Sequence, residues 1–436
     1  MTNMKNKSII LLLTLGLAFT ACSRDEDSLF EKSAAERTVE ALDNAQKCLT
    51  EAPNGWEFLY FPNPDECGYN ILVDFDEHGQ VKAAAKAYIQ KGAIKTDSVV
   101  VDANSTWEVV SDYGPILTFN TYNDVLHLWS DPQDDGDGFL GDYEFLILEA
   151  TPERLLLKGK KHSGYSVLRR LPADQDWTEY FNDIDNMKKT MFSNSNLFMA
   201  DFDGKQYTLT DGSTGIFTFA DKGEAADEEE AIVLPFATTQ KGIYCTAFLT
   251  DERNIDLPLE NGVLKSSAIT ISAGSLADHF EYYLRLVGGF WNVNIKDAND
   301  DLKTKIAAFD TKLKALYSQN KAATRTLRWE TKNDSKTVKL LRYIYTSNGS
   351  DKKLVEMEFL YNVSSNNGQL VVEYSGPNDD NAKNMLEKIP EIVDVLKALN
   401  GTFNLTATEP INPTTGLQIT NNNDASKWIK LTGSLK

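Results

Sequence analysis

The residue pattern predicts an α+β chain, with antiparallel β-meanders each preceded by an amphipathic helix, in two or three loosely repeated lobes. Three observations lead there. Apolar residues recur at helical spacing in three separate windows, around Val39–Leu49, Tyr180–Met191 and Leu302–Leu316. Each window is followed by short runs of alternating apolar and polar residues with Gly, Asn or Asp between them, as antiparallel hairpins require. Strands and helices do not alternate one for one, which argues against a parallel sheet of βαβ units. No residue-level repeat accompanies the three restarts, so the repetition rests on pattern alone.

Taken in order, residues 1–21 read as a signal peptide. Lys5 and Lys7 precede an apolar run from Ile9 to Phe19, shorter than the ~20 residues needed to span a hydrocarbon core. Cys22 follows Ala21 directly, and Phe19-Thr20-Ala21-Cys22 resembles a bacterial lipobox, with Phe19 where Leu is usual. In that motif the cysteine takes a diacylglyceryl group and further acyl chains such as palmitate, each buried CH₂ contributing about 0.8 kcal/mol of membrane attachment. Residues 22–32 then form an acidic tether. Its Ser23-Arg24-Asp25-Glu26-Asp27 is similar to the stretch that directs lipoproteins of some anaerobic Gram-negative bacteria to the outer face of the outer membrane. A plain solvated linker has the same composition.

Charge narrows the partners. The net charge of −20 becomes −22 once residues 1–21, with two lysines and no acid, are removed. Lys/Arg clusters able to neutralise phosphate are missing, so nucleic acid is excluded as a partner. Cys48, Cys67 and Cys245 remain besides Cys22. Export would place them where disulfides persist, and Cys48–Cys67 is the nearer pair, but three buried apolar thiols are the stronger reading.

The first lobe, residues 33–173, opens with a capping box at Ser33-Ala34-Ala35-Glu36 and a helix ended by Asn54-Gly55. Strands are expected at 56–61, 69–75, from about 80, and at 97–101, 106–111, 116–122, Leu126–Trp129, 143–148, 154–158 and 166–171. The second lobe, 174–296, has a helix carrying Trp177, Tyr180, Phe181, Ile184, Met187 and Met191, then strands between 197 and 249. The third, 297–436, has a helix through Leu302, Ile306, Phe309 and Leu313, four strands between 326 and 374, a helix from 381 to 399 kinked at Pro390, and closing strands ending at Trp428–Leu435.

One loop carries metal-like spacing. From Asp131 to Asp142, Asp135 falls at position five, Gly136 at six and Asp142 at twelve, with Asp137 between, close to a calcium loop of hard oxygen ligands around a glycine turn. Gln133 and the shorter Asp142 depart from that pattern, and an Asp/Gly-rich hairpin loop explains the same residues without a cation. Zinc and serine-hydrolase signatures are missing: His78, His127, His162 and His279 form no His-Glu-x-x-His pair, and no Gly-x-Ser-x-Gly elbow exists. Glu144 beside Tyr143 is the best acid candidate, and His127 between Leu126 and Leu128 reads as packed. Seven tryptophans, from Trp56 to Trp428, could form a ligand platform or simply core.

Gly141-Asp142-Tyr143-Glu144-Phe145 and Leu156-Leu157-Lys158-Gly159-Lys160-Lys161, with Glu36, Arg37, Gly55-Trp56, Tyr60-Phe61-Pro62, Leu117-Thr118-Phe119, Asn120–His127 and Ser130-Asp131-Pro132, resemble the domain of unknown function 4302 family of bacterial surface lipoproteins. Leu140 stands where that family usually has glycine. The resemblance covers residues 30–175. It implies a lipid-anchored outer-membrane protein facing the cell exterior, associated with a nutrient transporter complex, and it brings no catalytic residue. A non-catalytic protein that assists glycan or peptide uptake is therefore expected, with calcium as the one cofactor the residues suggest. A hydrolase with a carboxylate site and a structural partner subunit are the other readings.

Overall fold

The computed structural model describes residues 32–90, 93–95, 98–132, 138–192, 197–222, 232–246, 254–285, 289–317, 322–331, 338–348, 351–407 and 416–434. The chain divides into two compact units, Met1–Phe58 with Ile71–Gln175, and Leu59–Asn70 with Asp176–Lys436.

In the first, α1 (Ala34–Thr50) begins at the expected capping box: Glu36 N donates to Ser33 Oγ at 3.2 Å, and Ser33 N donates to Glu36 Oε2 at 2.8 Å. The strands that follow are β1 (Trp56–Tyr60), β2 (Tyr69–Phe75), β3 (Gln80–Ala85), a hairpin of β4 (Tyr88–Gln90) and β5 (Ala93–Lys95), β6 (Val100–Ser111), β7 (Pro115–Phe119), β8 (Glu144–Ala150), β9 (Arg154–Gly159) and β10 (Tyr165–Arg170). All but β4 and β5 form a closed barrel in the order β1-β10-β9-β8-β7-β6-β3-β2. Alternation sets the inward face on β8 and β9: Phe145 and Ile147, and Leu155 and Leu157, are buried while the residues between them are not, whereas β3 alternates only at its start and ends in the buried run Ala83–Ala85. Helix α1 packs on β6, β7 and β8 and buries Ala45, Cys48 and Leu49. Trp56 Nε1 donates to Leu49 O at 2.9 Å, so the buried indole is satisfied.

The second unit carries two sheets. After α2 (Trp177–Phe192) come β11 (Phe198–Phe202), β12 (Lys205–Thr210), β13 (Ile216–Asp221), β14 (Ile232–Pro235), β15 (Ala237–Thr239), β16 (Gly242–Cys245), β17 (Ile255–Glu260), β18 (Val263–Lys265) and β19 (Ile269–Ala273), a nine-stranded sheet in the order β14-β13-β12-β11-β19-β18-β17-β16-β15. Its core centres on Phe198, Phe217, Phe219 and Phe236. Then follow α3 (Leu276–Arg285), β20 (Phe290–Ala298), α4 (Asp300–Tyr317), β21 (Ala323–Thr331), β22 (Val338–Asn348), β23 (Asp351–Asn366), β24 (Gln369–Pro377), α5 (Asp380–Lys388), α6 (Ile392–Lys397), β25 (Gly401–Ala407), β26 (Leu417–Asn421) and β27 (Trp428–Ser434). Strands β20 to β27 close a second barrel in sequence order. In its core Trp291 stacks on Phe280 at 5.0 Å and donates from Nε1 to Phe280 O at 3.2 Å.

The α+β expectation is corrected by this architecture. The chain is mostly antiparallel β, two of its three large sheets are closed barrels, and helices do not simply precede meanders: α4, α5 and α6 interrupt the strands of the last barrel. Closure removes the exposed edges that open meanders would leave. Leu126–Trp129 is not a strand but consecutive turns, because Asn123 Oδ1 accepts from Val125 N (2.9 Å) and Leu126 N (3.0 Å) and folds the segment inward. The expected strands at 97–101 and 106–111 are the single strand β6. The helix expected over 381–399 is two helices, α5 and α6, on either side of Pro390. Helix α3 and strands β17 to β20 were not anticipated.

Candidate functional site

The stretch from Asn120 to Asp131, between β7 and β8, assembles the most distinctive surface of the first unit. Asn123 is fully buried and organises it: its Nδ2 donates to Ser105 Oγ at 2.9 Å, and its backbone N donates to His127 Nδ1 at 3.1 Å. Because Nδ1 accepts, the neutral imidazole carries its proton on Nε2. His127 N returns a bond to Asn123 O at 3.0 Å. The imidazole is thereby held between two tyrosines, 5.2 Å from the Tyr122 ring and 5.1 Å from the Tyr143 ring, with interplanar angles of 31° and 24°. His127 itself is 9% exposed, whereas Tyr122 is 58% and Tyr143 45% exposed. Burial holds the His127 pKa below the ordinary imidazole value, opposed by the charge of Asp131.

Tyr122 Oη donates to Asp131 Oδ2 at 2.5 Å, and this bond to a carboxylate, helped by burial, pushes the phenol pKa up to about 12. Asp102 lies alongside, accepting from Asn104 N at 2.9 Å and Asp124 N at 3.0 Å. The result is a Tyr–His–Tyr platform, with Tyr143 stacked and Tyr122 tilted against the imidazole and carboxylates at its margin. Aromatic faces of this kind receive apolar C–H surfaces, and carboxylates accept hydroxyl protons.

The four aspartates of the calcium reading are placed differently from one another. Asp135 and Asp137 lie outside the described residues. Asp131 is bonded by Tyr122. Asp142 is buried and turned into the β9–β10 turn, accepting from His162 N at 2.8 Å and Lys161 N at 3.2 Å. His162 Nδ1 is 3.4 Å from Asp142 Oδ1 but makes no hydrogen bond, so the amides hold that carboxylate. A Cβ on Gly159 would stand 2.2 Å from Asp142 Oδ2, which explains a glycine there. Among the described residues no three His, Cys, Asp or Glu side chains are grouped to hold a metal. The neck of the loop is closed by Gly141 N donating to Trp129 O at 2.9 Å, and Gly138 (φ 63°) crosses so near Asp131 O that a Cβ would sit 2.2 Å from it.

Glu144, the acid candidate, is ion-paired with Lys160 at 3.3 Å, and Lys160 also reaches Asp112 at 3.0 Å. Trp56, Trp107, Trp129, Trp291 and Trp329 are core, and Trp177 and Trp428 are partly buried. Among the described residues the large exposed aromatics are tyrosines, and no motif in the sequence marks Tyr113 or Tyr122 as a site residue. Their signal is placement between turn residues rather than in alternating runs. Cys48, Cys67 and Cys245 are free thiols, and burial raises the pKa of each. Cys22 lies outside the described residues, and no helix among those described is long and apolar enough to cross a membrane.

No curated protein matches the chain. Among solved structures, it is similar at 11% identity to the beta sliding clamp of C. crescentus (91% of this chain and 96% of that one covered, TM-score 0.13). A DnaN sliding clamp from Bartonella birtlesii shows the same 11% identity (92% and 98% covered, TM-score 0.12). Scores this low carry no argument. The family model for a domain of unknown function, DUF4302, matches residues 26–252, just over half of the chain and well past the stretch that the sequence signature covered. The chain therefore belongs to the DUF4302 family.

Proposed function

We propose that this is a non-catalytic binding protein, tethered through Cys22 to the outer membrane and facing the cell exterior, which holds a nutrient glycan on the Tyr122–His127–Tyr143 platform beside an outer-membrane transporter. The observation that carries the reading is the platform itself: two half-exposed tyrosines locked against a buried histidine, with Asp131 bonded at the rim. Monomeric surfaces scatter apolar groups singly, and a fixed, contiguous aromatic patch marks an interaction site. The ordering entropy is already spent within the fold, which favours affinity for a ligand that stacks.

Titration of the purified protein with a panel of neutral and amino-sugar oligosaccharides, followed by intrinsic fluorescence, tests the site. Each aromatic face contributes about 1 kcal/mol, so the double variant Tyr122→Ala, Tyr143→Ala should bind about thirtyfold more weakly. Failure of the whole panel to bind, or equal binding by the double variant, rejects the reading. The tether is tested separately: Cys22→Ala should move the protein out of the membrane fraction and abolish labelling by a fatty acid, because that thiol is the acylation site. Fatty acid still incorporated into the variant refutes the anchor.

A further inference from the structure

The first unit also holds a cleft of about 200 Å³ between the tip of the β6–β7 hairpin and the β9–β10 turn. That is residue-sized, below the ~300–1,000 Å³ of pockets for larger ligands. Its floor is apolar, formed by Ile116 (2% exposed) and Leu146. Two of its lining residues are in the left-handed backbone region, Tyr113 at φ 56° and Ser163 at φ 65°. Side chains other than glycine stay there only where the surroundings over-determine them, and such residues gather at ligand clamps.

Tyr113 is fully exposed and Ser163 Oγ makes no hydrogen bond among the described residues. Internal packing therefore does not account for either choice of side chain. The cations of the cleft differ in the same sense. Lys160 is held between Asp112 and Glu144. Lys158 has no carboxylate partner among the described residues, and its ammonium stands over the Tyr165 ring, 5.5 Å from the centroid. In a chain with a net charge of −20, an ammonium left without a counter-ion beside an apolar floor and a spare hydroxyl is equipped for an anion that carries an apolar group.

The geometry points to capture of the free carboxyl-terminal residue of a short peptide. Lys158 and Ser163 receive the terminal carboxylate, the apolar side chain rests on Ile116 and Leu146, and Tyr113 closes over it. This site is independent of the glycan platform, and the protein would thus engage peptide material as well as sugar.

Calorimetric titration of the purified protein with N-acetyl-Ala-Ala-Leu, and with the same peptide ending in an amide, decides the matter. Saturable binding of the acid is expected, with the amide at least tenfold weaker. Lys158→Met should lose at least tenfold, and Ser163→Ala a smaller factor in the same direction. Tyr113→Gly should weaken binding while the melting temperature holds or rises, because glycine adopts that φ without strain. A residue of purely structural use would show the opposite. The Tyr122→Ala, Tyr143→Ala variant should bind the peptide unchanged, which separates this site from the platform. The proposal is overturned if acid and amide bind alike, if Lys158→Met binds as the parent does, if nothing saturates at millimolar peptide, or if galacturonate competes as well as the peptide.

Discussion

His127 shows how one side chain can be both core and scaffold. Its ring is stacked with Tyr143 and tilted against Tyr122, and its Nδ1 accepts from Asn123 N. Burial lowers its pKa, as it does for His279 on α3. The folded state thus takes up a proton less readily than the unfolded chain. The associated stability is complete above the unfolded value of about 6.5 and is lost as pH falls from there through the depressed folded values. His127→Gln should flatten the fall in melting temperature between about pH 6.5 and 5 relative to the parent. A parallel fall in both proteins would show that His127 does not contribute. His127 as a packed residue was legible in sequence from its apolar neighbours. The fate of Asp142 was not. Its partners, the amides of Lys161 and His162, are 19 and 20 residues away, and the spacing of acids within one loop contains no information about a turn on the next hairpin.

At the scale of elements, local signals served well and longer ones did not. The Ser33–Glu36 capping box is a four-residue device, readable because both of its bonds lie inside it. Helix α3 has the same device at Ser275 and Asp278: Asp278 Oδ2 accepts from Ser275 N at 2.8 Å, and Asp278 N donates to Ser275 Oγ at 3.2 Å. That signature was present in the sequence, followed by buried Ala277, Phe280 and Leu284. It was overlooked because the helix is only 10 residues long and sits among strand-like runs. Asp278 also accepts from Ser365 Oγ of β23 at 2.5 Å, while Glu281 accepts from Ser365 N at 2.8 Å. Asp278→Ala therefore removes a helix cap and a tie between α3 and the barrel together, and should cost about 2 kcal/mol. Ser33→Ala, which removes a cap alone, should cost about 1 kcal/mol. Denaturant unfolding of the two variants checks the order, and equal losses would mean that the Ser365 contact contributes nothing.

For the molecule as a whole, periodicity yields strands and their neighbours in sequence, but barrel closure pairs elements that sequence keeps far apart. β20 pairs with β27 across Trp291↔Gly433 and Val293↔Leu431, and no local pattern announces such a partner. The same applies to Leu59–Asn70, which lies among the first strands yet belongs to the second unit. Within that unit Asn70 Nδ2 donates to Thr238 O and to Tyr180 Oη, both at 2.9 Å, and Gly68 N donates to Phe236 O at 3.0 Å. Phe61 packs on Tyr244 with centroids 6.3 Å apart, and Gly68 passes so close to Ala237 that a Cβ would stand 2.6 Å from that side chain. A fragment of residues 176–436 would keep Tyr180 and Thr238 but lose every one of these partners. Each buried polar group left unsatisfied costs about 1–3 kcal/mol, a large share of a stability that rarely exceeds 15 kcal/mol. The fragment should unfold at lower denaturant than the same region in the full chain, with exchange protection lost first at Phe236–Thr239. A synthetic peptide of residues 59–70 added in trans should restore that protection. Full protection without the peptide would show that the segment is dispensable to the second unit.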